Sequence, residues 1–470
     1  MKFVVALFLM AALFTTGELF SQQLVGHPDE AYENIAEEII TAALTEQKGY
    51  KILGELCQIG PRLSGSENSM KAIRWAEAKM KELGFDRVIL QPVMVPHWVR
   101  GDVELAEIVE PAALKGRQLA VTALGGSVGT PEGGLTAGVL EVFTFEELAR
   151  KSAQARGKIV FFNRPFPQHL VNTFAGYGAT VGQRVHGPSE AAGHGAVAAL
   201  VRSVGTAYDN SPHTGSLRYR EDAPRIPAAA VGVIDADFLS QALKQYPGLK
   251  VRLKLSCQNL PDVQSYNVIG DLIGSTYPDE YVLVSGHFDS WDKGDGAHDD
   301  GGGCIQALEV LDLLKRLGIQ PKRTIRCVFF INEENGLRGA RAYARMADSL
   351  GLKHVAAIES DRGSFSPRGF SVSADSTVIA AMQRWLPILR KAGIEWIRPG
   401  GSGADVSQIK GAIARIGFVP DGQRYFDYHH SDNDVYEAVH PREFELGAAA
   451  QAILAYLISE EGLYIPRGSQ

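Results

Sequence analysis

The amino-acid sequence predicts an α/β protein: a mixed, largely parallel sheet sandwiched by helices, with an inserted β-rich unit. Three observations carry this. From residue 265 onward, strand-like and helix-like stretches alternate, as they do when βα units share one sheet. Within that half, residues 327–331 form an unbroken apolar run (Cys-Val-Phe-Phe-Ile), as expected of a strand covered on both faces. Between about residues 101 and 260 the texture shifts to Gly-rich sequence with short β-like runs. At 470 residues the chain is too long for one ordinary core, which agrees with such a division. The expected limits are a leader over 1–22, a main domain in two parts over 23–100 and 261–470, and the insert over 101–260.

The elements follow in order. Lys2, the apolar run 3–14 and Thr15-Thr16-Gly17 have the form of a secretory signal peptide, too short to span a bilayer. Residues 31–57 read as a helix with Ile35, Ile39, Ile40, Ala43 and Leu44 on one stripe. Gly60-Pro61-Arg62-Leu63-Ser64-Gly65-Ser66 is a loop, and Ser66 is placed to cap a helix over 70–83 that stops at Gly84. Residues 87–95 form a strand. In the insert, 157–162 is a strand, 191–200 a small-residue segment, and 226–233 a short strand that Pro227 confines to a sheet edge or places at a strand start. Its histidines, His186, His194 and His213, read as surface or packing residues. Beyond the insert the expected strands are 280–285, 323–331 and 354–358, and the expected helices 303–317, 338–350, 376–392 and 444–458. Ile305, Leu308, Leu311 and Leu314 line the apolar face of the first of these helices.

Bulk composition mainly excludes. A formal net charge of −7, with no Lys/Arg run, argues against a nucleic-acid partner. After the first residues no segment is apolar and long enough to be transmembrane. Cys57, Cys257, Cys304 and Cys327 are too few and too scattered for a disulfide scaffold or a Cys-x-x-Cys metal site, and Cys304 and Cys327 read as buried small hydrophobes.

The chemistry gathers where open α/β sheets place it, beyond the carboxyl ends of strands. Gly286-His287-Phe288-Asp289 follows a strand, and Asp289 is placed to accept the second ring N–H of His287 and fix its tautomer. His298-Asp299-Asp300-Gly301-Gly302-Gly303 precedes a helix. Acids there are often caps, but three glycines also let the backbone close on a ligand. Asn332-Glu333-Glu334-Asn335-Gly336 follows the most apolar strand. Two adjacent carboxylates at such a mouth repel unless a cation is present or one is protonated. Glu359-Ser360-Asp361 follows another strand, and His429-His430-Ser431-Asp432-Asn433-Asp434 lies in a late loop. Two histidines, three liganding carboxylates and a spare glutamate are the inventory for two zinc ions sharing one carboxylate.

These motifs, in this order, resemble the co-catalytic zinc aminopeptidase family over nearly the whole mature chain. The resemblance implies a zinc-exopeptidase fold with a protease-associated-like insert, and two Zn²⁺ ions per chain. Asp299 would bridge the ions, His287 and Asp361 complete one site, and Glu334 and His430 complete the other. Glu333 would be the general base, with Asp289 orienting His287. His430 is taken over His429 because His-Ser-x-x-Asp has the family spacing only from His430. Asp299 is taken over Asp300 from its place ahead of the acidic residue and the glycine turn. Gly302 departs from the pattern, where many relatives carry serine. The implied activity is hydrolysis of short peptides, dipeptides especially, by a secreted enzyme, extracellular or periplasmic, that assembles as a homodimer. Two rival readings are a single-zinc acyltransferase of the glutaminyl-cyclase kind and a non-catalytic binding domain on the same scaffold.

Overall fold

The computed structural model describes residues 28–464. The leader expected over 1–22 lies outside the described residues. Two eight-stranded mixed sheets organise the chain. The first runs, edge to edge, Arg87–Val99, Gln258–Leu272, Arg323–Phe330, Tyr277–His287, Lys353–Glu359, Ala414–Pro420, Pro367–Ser373 and Trp396–Pro399. The four strands in its middle, from Arg323–Phe330 to Ala414–Pro420, are mutually parallel. The flanking strands add antiparallel pairings.

Alternation of side chains sends the apolar residues of the central strands to two cores. Val282, Val284, Ile325, Cys327, Phe329, Ala356 and Ile358 face one core, shared with helices Lys48–Cys57, Gly302–Arg316 and Pro441–Glu461. Leu283, Val328, Phe330 and Ala357 face the other, under helix Arg338–Leu350. Both faces are buried, so a polar side chain inside these strands needs a partner: Arg326 pairs with Asp271, its Nε 2.7 Å from Oδ1, and Ser285 Oγ–H donates to the Ile358 carbonyl at 2.9 Å.

The chain leaves this sheet at Val99 and returns at Gln258, and the second sheet is built from residues between them. Its order is Gln118–Leu119, Glu104–Glu110, Lys250–Leu255, Leu135–Val142, Ile159–Phe162, Ala198–Arg202, Ala228–Val231 and Val121–Ala123. The strands expected near 157–162 and 226–233 are present as Ile159–Phe162 and Ala228–Val231. The segment 191–200 divides into the end of helix Gly182–Gly193 and the start of strand Ala198–Arg202. Besides strands, this unit holds helices such as Thr173–Thr180, Gly182–Gly193 and Val233–Gln245, which the Gly-rich texture conceals.

Three helices differ from expectation. The helix expected over 31–57 is two, Pro28–Glu46 and Lys48–Cys57, because Gln47 takes a left-handed φ of 47° and redirects the chain. The next begins earlier, at Glu67, where the Ser66 hydroxyl accepts the Ser69 N–H at 3.0 Å. The stretch 376–392 divides into Ser376–Gln383, Leu386–Leu389 and a terminal 3₁₀ turn, the break falling just before Pro387. Cys57, Cys257, Cys304 and Cys327 are buried free thiols. Among the described residues no helix is long and apolar enough to cross a membrane.

Candidate metal centre

Four of the five expected ligands emerge from the carboxyl end of the parallel strands or the loop beside it. His287 is the last residue of its strand. Glu333 and Glu334 follow strand Arg323–Phe330, where Asn332 adopts φ 69° and turns the chain. Asp361 lies two residues beyond strand Lys353–Glu359. Asp299 sits in the irregular turn Ala297–Gly301 that leads into helix Gly302–Arg316. The fifth, His430, comes from a loop after the short helix Tyr425–Tyr428 and has φ 65°.

These side chains converge on Asp299. Its Oδ1 lies 3.1 Å from His287 Nε2, and His287 Nε2 lies 3.5 Å from Asp361 Oδ1. Its Oδ2 lies 3.3 Å from His430 Nε2, which in turn is 3.0 Å from Glu334 Oε2. A tetrahedral zinc with ligands at 2.0–2.1 Å has ligand–ligand edges of about 3.3 Å, so both clusters have the spacing of an ion's coordination shell. Asp299 Oδ2 and Glu334 Oε1 are buried and accept no hydrogen bond. Buried polar atoms are rarely left so, and a cation would satisfy both. The donor set of imidazole and carboxylate fits zinc chemistry.

Asp299 and Asp300 diverge. Asp300 accepts the N–H groups of His287 at 2.9 Å and Gly303 at 3.1 Å, tying the helix start to the strand end. A Cβ at Gly303 would lie 2.0 Å from the Ser360 carbonyl oxygen and one at Gly286 2.5 Å from Asp300 Oδ2, so both glycines are required by this close approach. Gly302 has its own reason: a Cβ there would lie 2.0 Å from Ser364 Oγ. The two histidines also differ. His429 Nε2 is 3.8 Å from Asp299 Oδ2, its ring stacks on that of His430, and its Nδ1 has no hydrogen-bond partner. His430 reaches Glu334 as well, and its Nδ1 lies 3.3 Å from the Thr214 carbonyl and 3.4 Å from Arg184 NH1; with Nε2 turned to Glu334 and Asp299, the Thr214 carbonyl is the acceptor for a proton on Nδ1.

One expectation is corrected. The Asp289 carboxylate does not accept the second ring N–H of His287. That role falls to the Asp289 backbone carbonyl, 2.9 Å from Nδ1, because the turn leaving the strand folds the main chain back on the ring. The carboxylate points elsewhere, accepting Ser64 Oγ–H and the Glu333 N–H, each at 3.0 Å. Asp289 therefore joins the His287 loop to the backbone of Glu333. His298, beside the bridge, is buried between Phe365 and Tyr428, accepts the Ser364 N–H at Nδ1, and is held neutral by burial, its pKa lowered to about 4.

Supporting residues surround the centre, and of these Trp291 carries no sequence signal that reads as metal chemistry, whereas Asp434 and Glu359 lie in the motifs named above. Trp291 Nε1 donates to Glu334 Oε2 at 2.6 Å, and its ring lies on Gly125, where a Cβ would meet it at 1.8 Å. Asp434 accepts the N–H of both His298 and Asp299, at 2.7 and 3.0 Å. Glu359 does not face the centre: it accepts the Val406 N–H at 2.6 Å.

Electrostatics separates these groups. Burial disfavours the charge on Asp299, but the hydrogen bond with His287 leads the effects that outweigh it and hold its carboxyl below the usual carboxylate range. Burial, partly offset by Asp299, lowers His430 to about 3, so the ring is in its neutral, liganding form. Burial, opposed by His287 and reinforced by Asp361, Glu334 and Asp289, raises Glu333 well above the usual carboxylate range. The centre opens into a cleft of about 840 Å³ whose other charged lining residues are all cationic: Arg184, Arg218, Arg225 and Arg341.

Comparison with known proteins agrees with this geometry. The profile of peptidase family M28 matches residues 267–456. Carboxypeptidase Q of Mus musculus is 38% identical over 441 residues, 93% of this chain and 91% of that protein. Carboxypeptidase Q of Homo sapiens is 37% identical over 92% of this chain and 90% of its own length. Among solved structures, a peptidase M28 precursor from Shewanella amazonensis superposes with a TM-score of 0.88 at 35% identity, covering 93% of this chain and 99% of that one. A zinc aminopeptidase from Bacillus subtilis, 21% identical over 91% of this chain and 97% of that one, shares the fold with a TM-score of 0.64.

Proposed function

The chain belongs to peptidase family M28, and from that premise we propose that it is a secreted, two-zinc exopeptidase of short peptides, dipeptides above all. The observation that carries the reading is Asp299, whose two oxygens lie 3.1 Å and 3.3 Å from different histidines, His287 and His430. A carboxylate placed so is suited to bridging two ions. His287 and Asp361 would hold one zinc and Glu334 and His430 the other. The ions would supply a water of lowered pKa and polarise the scissile carbonyl.

The chain's own residues do the rest. Glu333 takes the proton of the attacking water and delivers it to the leaving amine. Asp289 positions Glu333 through the backbone. Specificity for a short peptide rests on Arg184, a buried guanidinium with no acidic partner among the described residues, whose Nε is unsatisfied, whose NH1 donates to the Thr214 carbonyl at 3.3 Å and whose NH2 donates to Tyr177 OH at 2.7 Å. An unpaired buried cation lining the cleft is suited to the free carboxylate of a substrate. Secretion rests on the leader-like residues 1–22, and the homodimer on the family likeness.

The test uses the chain without its leader. Bound zinc is counted per chain, and a panel of dipeptides is hydrolysed with and without chelator. About two zinc ions and cleavage lost on chelation support the reading. One zinc, with cyclisation in place of hydrolysis, replaces it with the acyl-transfer alternative. A folded protein without metal or turnover replaces it with the binding-domain alternative.

A further inference from the structure

We propose that residues 213–216, which belong to the second sheet's unit, position the Glu334–His430 half of the centre, so that one metal position depends on that unit and the other does not. The inference rests on the two-zinc reading. His430 and Thr214 make a reciprocal pair: the Thr214 N–H donates to the His430 carbonyl at 2.9 Å, and His430 Nδ1 lies 3.3 Å from the Thr214 carbonyl. His213 Nδ1 lies 2.7 Å from the His429 carbonyl. Burial lowers the His213 pKa to about 4, so the ring is neutral and free to donate there. Ser216 Oγ–H donates to the Glu334 carbonyl at 2.6 Å. Trp291, the donor to the Glu334 carboxylate, rests on Gly125 of the same unit.

The segment is itself fastened to the second sheet's unit. Thr214 Oγ1–H donates to the Ala123 carbonyl, the Gly125 N–H to Gly215, and the Leu217 N–H to Gly125. Gly215 has φ 130°, and a Cβ there would lie 2.4 Å from the Arg184 guanidinium carbon. The loop carrying His430 is anchored at further points: Thr206 Oγ1–H donates to Asp427, the Asn433 amide to Asp209, and Thr173 Oγ1–H to the Gly422 carbonyl. His287 has no such dependence. Its ring is oriented by the Asp289 carbonyl, within its own strand end. Ser216 is thus a positioning residue, acting on the metal through Glu334.

The readout is zinc affinity, not turnover. The metal-free full-length mature chain is titrated with Zn²⁺ against a chromophoric chelator. The wild type is expected to show two binding steps. Ser216→Ala should weaken one step about tenfold, the low end of what support of a metal ligand contributes, and leave the other in place. Ser216→Thr, which keeps the hydroxyl, should restore it, and Gly215→Ala should weaken the same step further. Equal weakening of both steps, or of neither, overturns the inference alone. A single step in the wild type overturns the two-zinc reading and this inference with it.

Discussion

Replacing Glu333 by glutamine separates the base from the metal ligands. The change keeps side-chain size, and the main chain at 333 stays fixed because its N–H donates to Asp289 Oδ1 at 3.0 Å. What is lost is a group able to accept the water's proton. A positioned general base contributes roughly 10²–10⁴-fold, or about 3–5 kcal/mol of barrier at 1.4 kcal/mol per decade. Burial, with Asp361, Glu334 and Asp289 and against His287, raises the pKa of Glu333, so in the metal-free protein a neutral amide replaces a carboxyl that already disfavours its charge. Metal-free Glu333→Gln should therefore melt no lower than the wild type, and the holo variant should keep its zinc. The pH profile supplies an independent check. A base with a raised pKa is protonated as pH falls, so wild-type kcat/KM drops on the acid side, and that limb should flatten in the variant. The assay is kcat/KM on a dipeptide across pH, with zinc counted on the same samples. Near-normal turnover with zinc retained would refute the assignment of the base, and loss of zinc would show that Glu333 is a ligand instead.

Two further outcomes test the packing around the centre. Gly302→Ser places a Cβ 2.0 Å from Ser364 Oγ and should destabilise by about 1–3 kcal/mol. Adding Ser364→Ala should recover more than the two single changes predict, a coupling of at least about 0.5 kcal/mol in denaturant unfolding, and strict additivity would refute the clash. Behind the sheet, burial, then Glu445, then Asp312, opposed by Arg316, push Glu309 up to about 8, and burial pushes Glu445 to about 7. A folded-state pKa above the unfolded value of about 4.3 gives stability that is complete below about pH 4 and is lost as pH rises through 7 to 8. Urea midpoints should fall between pH 5.5 and 8.5 in the wild type and fall less in Glu309→Gln, and equal slopes would count against the buried-acid account.

Much of the main sheet and of the metal centre was legible because one physical rule wrote both. A strand covered on two faces favours apolar residues, as at 327–330. The first carboxylate or imidazole after such a run stands out and lies at the open end of the sheet, which is where His287, Glu333, Glu334 and Asp361 lie. Choosing between neighbours drew on family spacing, and the structure supplies physical differences that pattern alone could not. Asp300 is occupied by two backbone N–H groups, and His429 stands farther from Asp299 and lacks an acceptor at Nδ1. The break at Gln47 was hidden because nothing about a glutamine announces a left-handed φ. The helix Gly182–Gly193 was hidden by three glycines and Pro188, poor helix formers that tertiary packing overrides.

The contribution of the second sheet's unit to the centre was hidden for a deeper reason. Thr214 lies 216 residues from His430 and faces it with a backbone carbonyl, a group that every residue possesses. The Asp289 carbonyl at His287 is of the same kind. Orientation of the imidazoles is thus delegated to the main chain, leaving side chains free for other work: the Asp289 carboxylate for the Glu333 N–H, Ser216 for the Glu334 carbonyl. Composition at 214 carries no trace of this, but conformation does. Gly215 at φ 130° and the absence of a Cβ at Gly125 under Trp291 fix where those carbonyls and donors stand. The glycines of the second sheet's unit, which read as mere loop texture, are in part what brings it against Glu334 and His430. On that account Gly125→Ala should disturb Glu334 through Trp291, and the zinc titration should register it at the same step that Ser216→Ala weakens. An unchanged titration in a folded Gly125→Ala protein would mean that Trp291 does not transmit the position of the second sheet's unit.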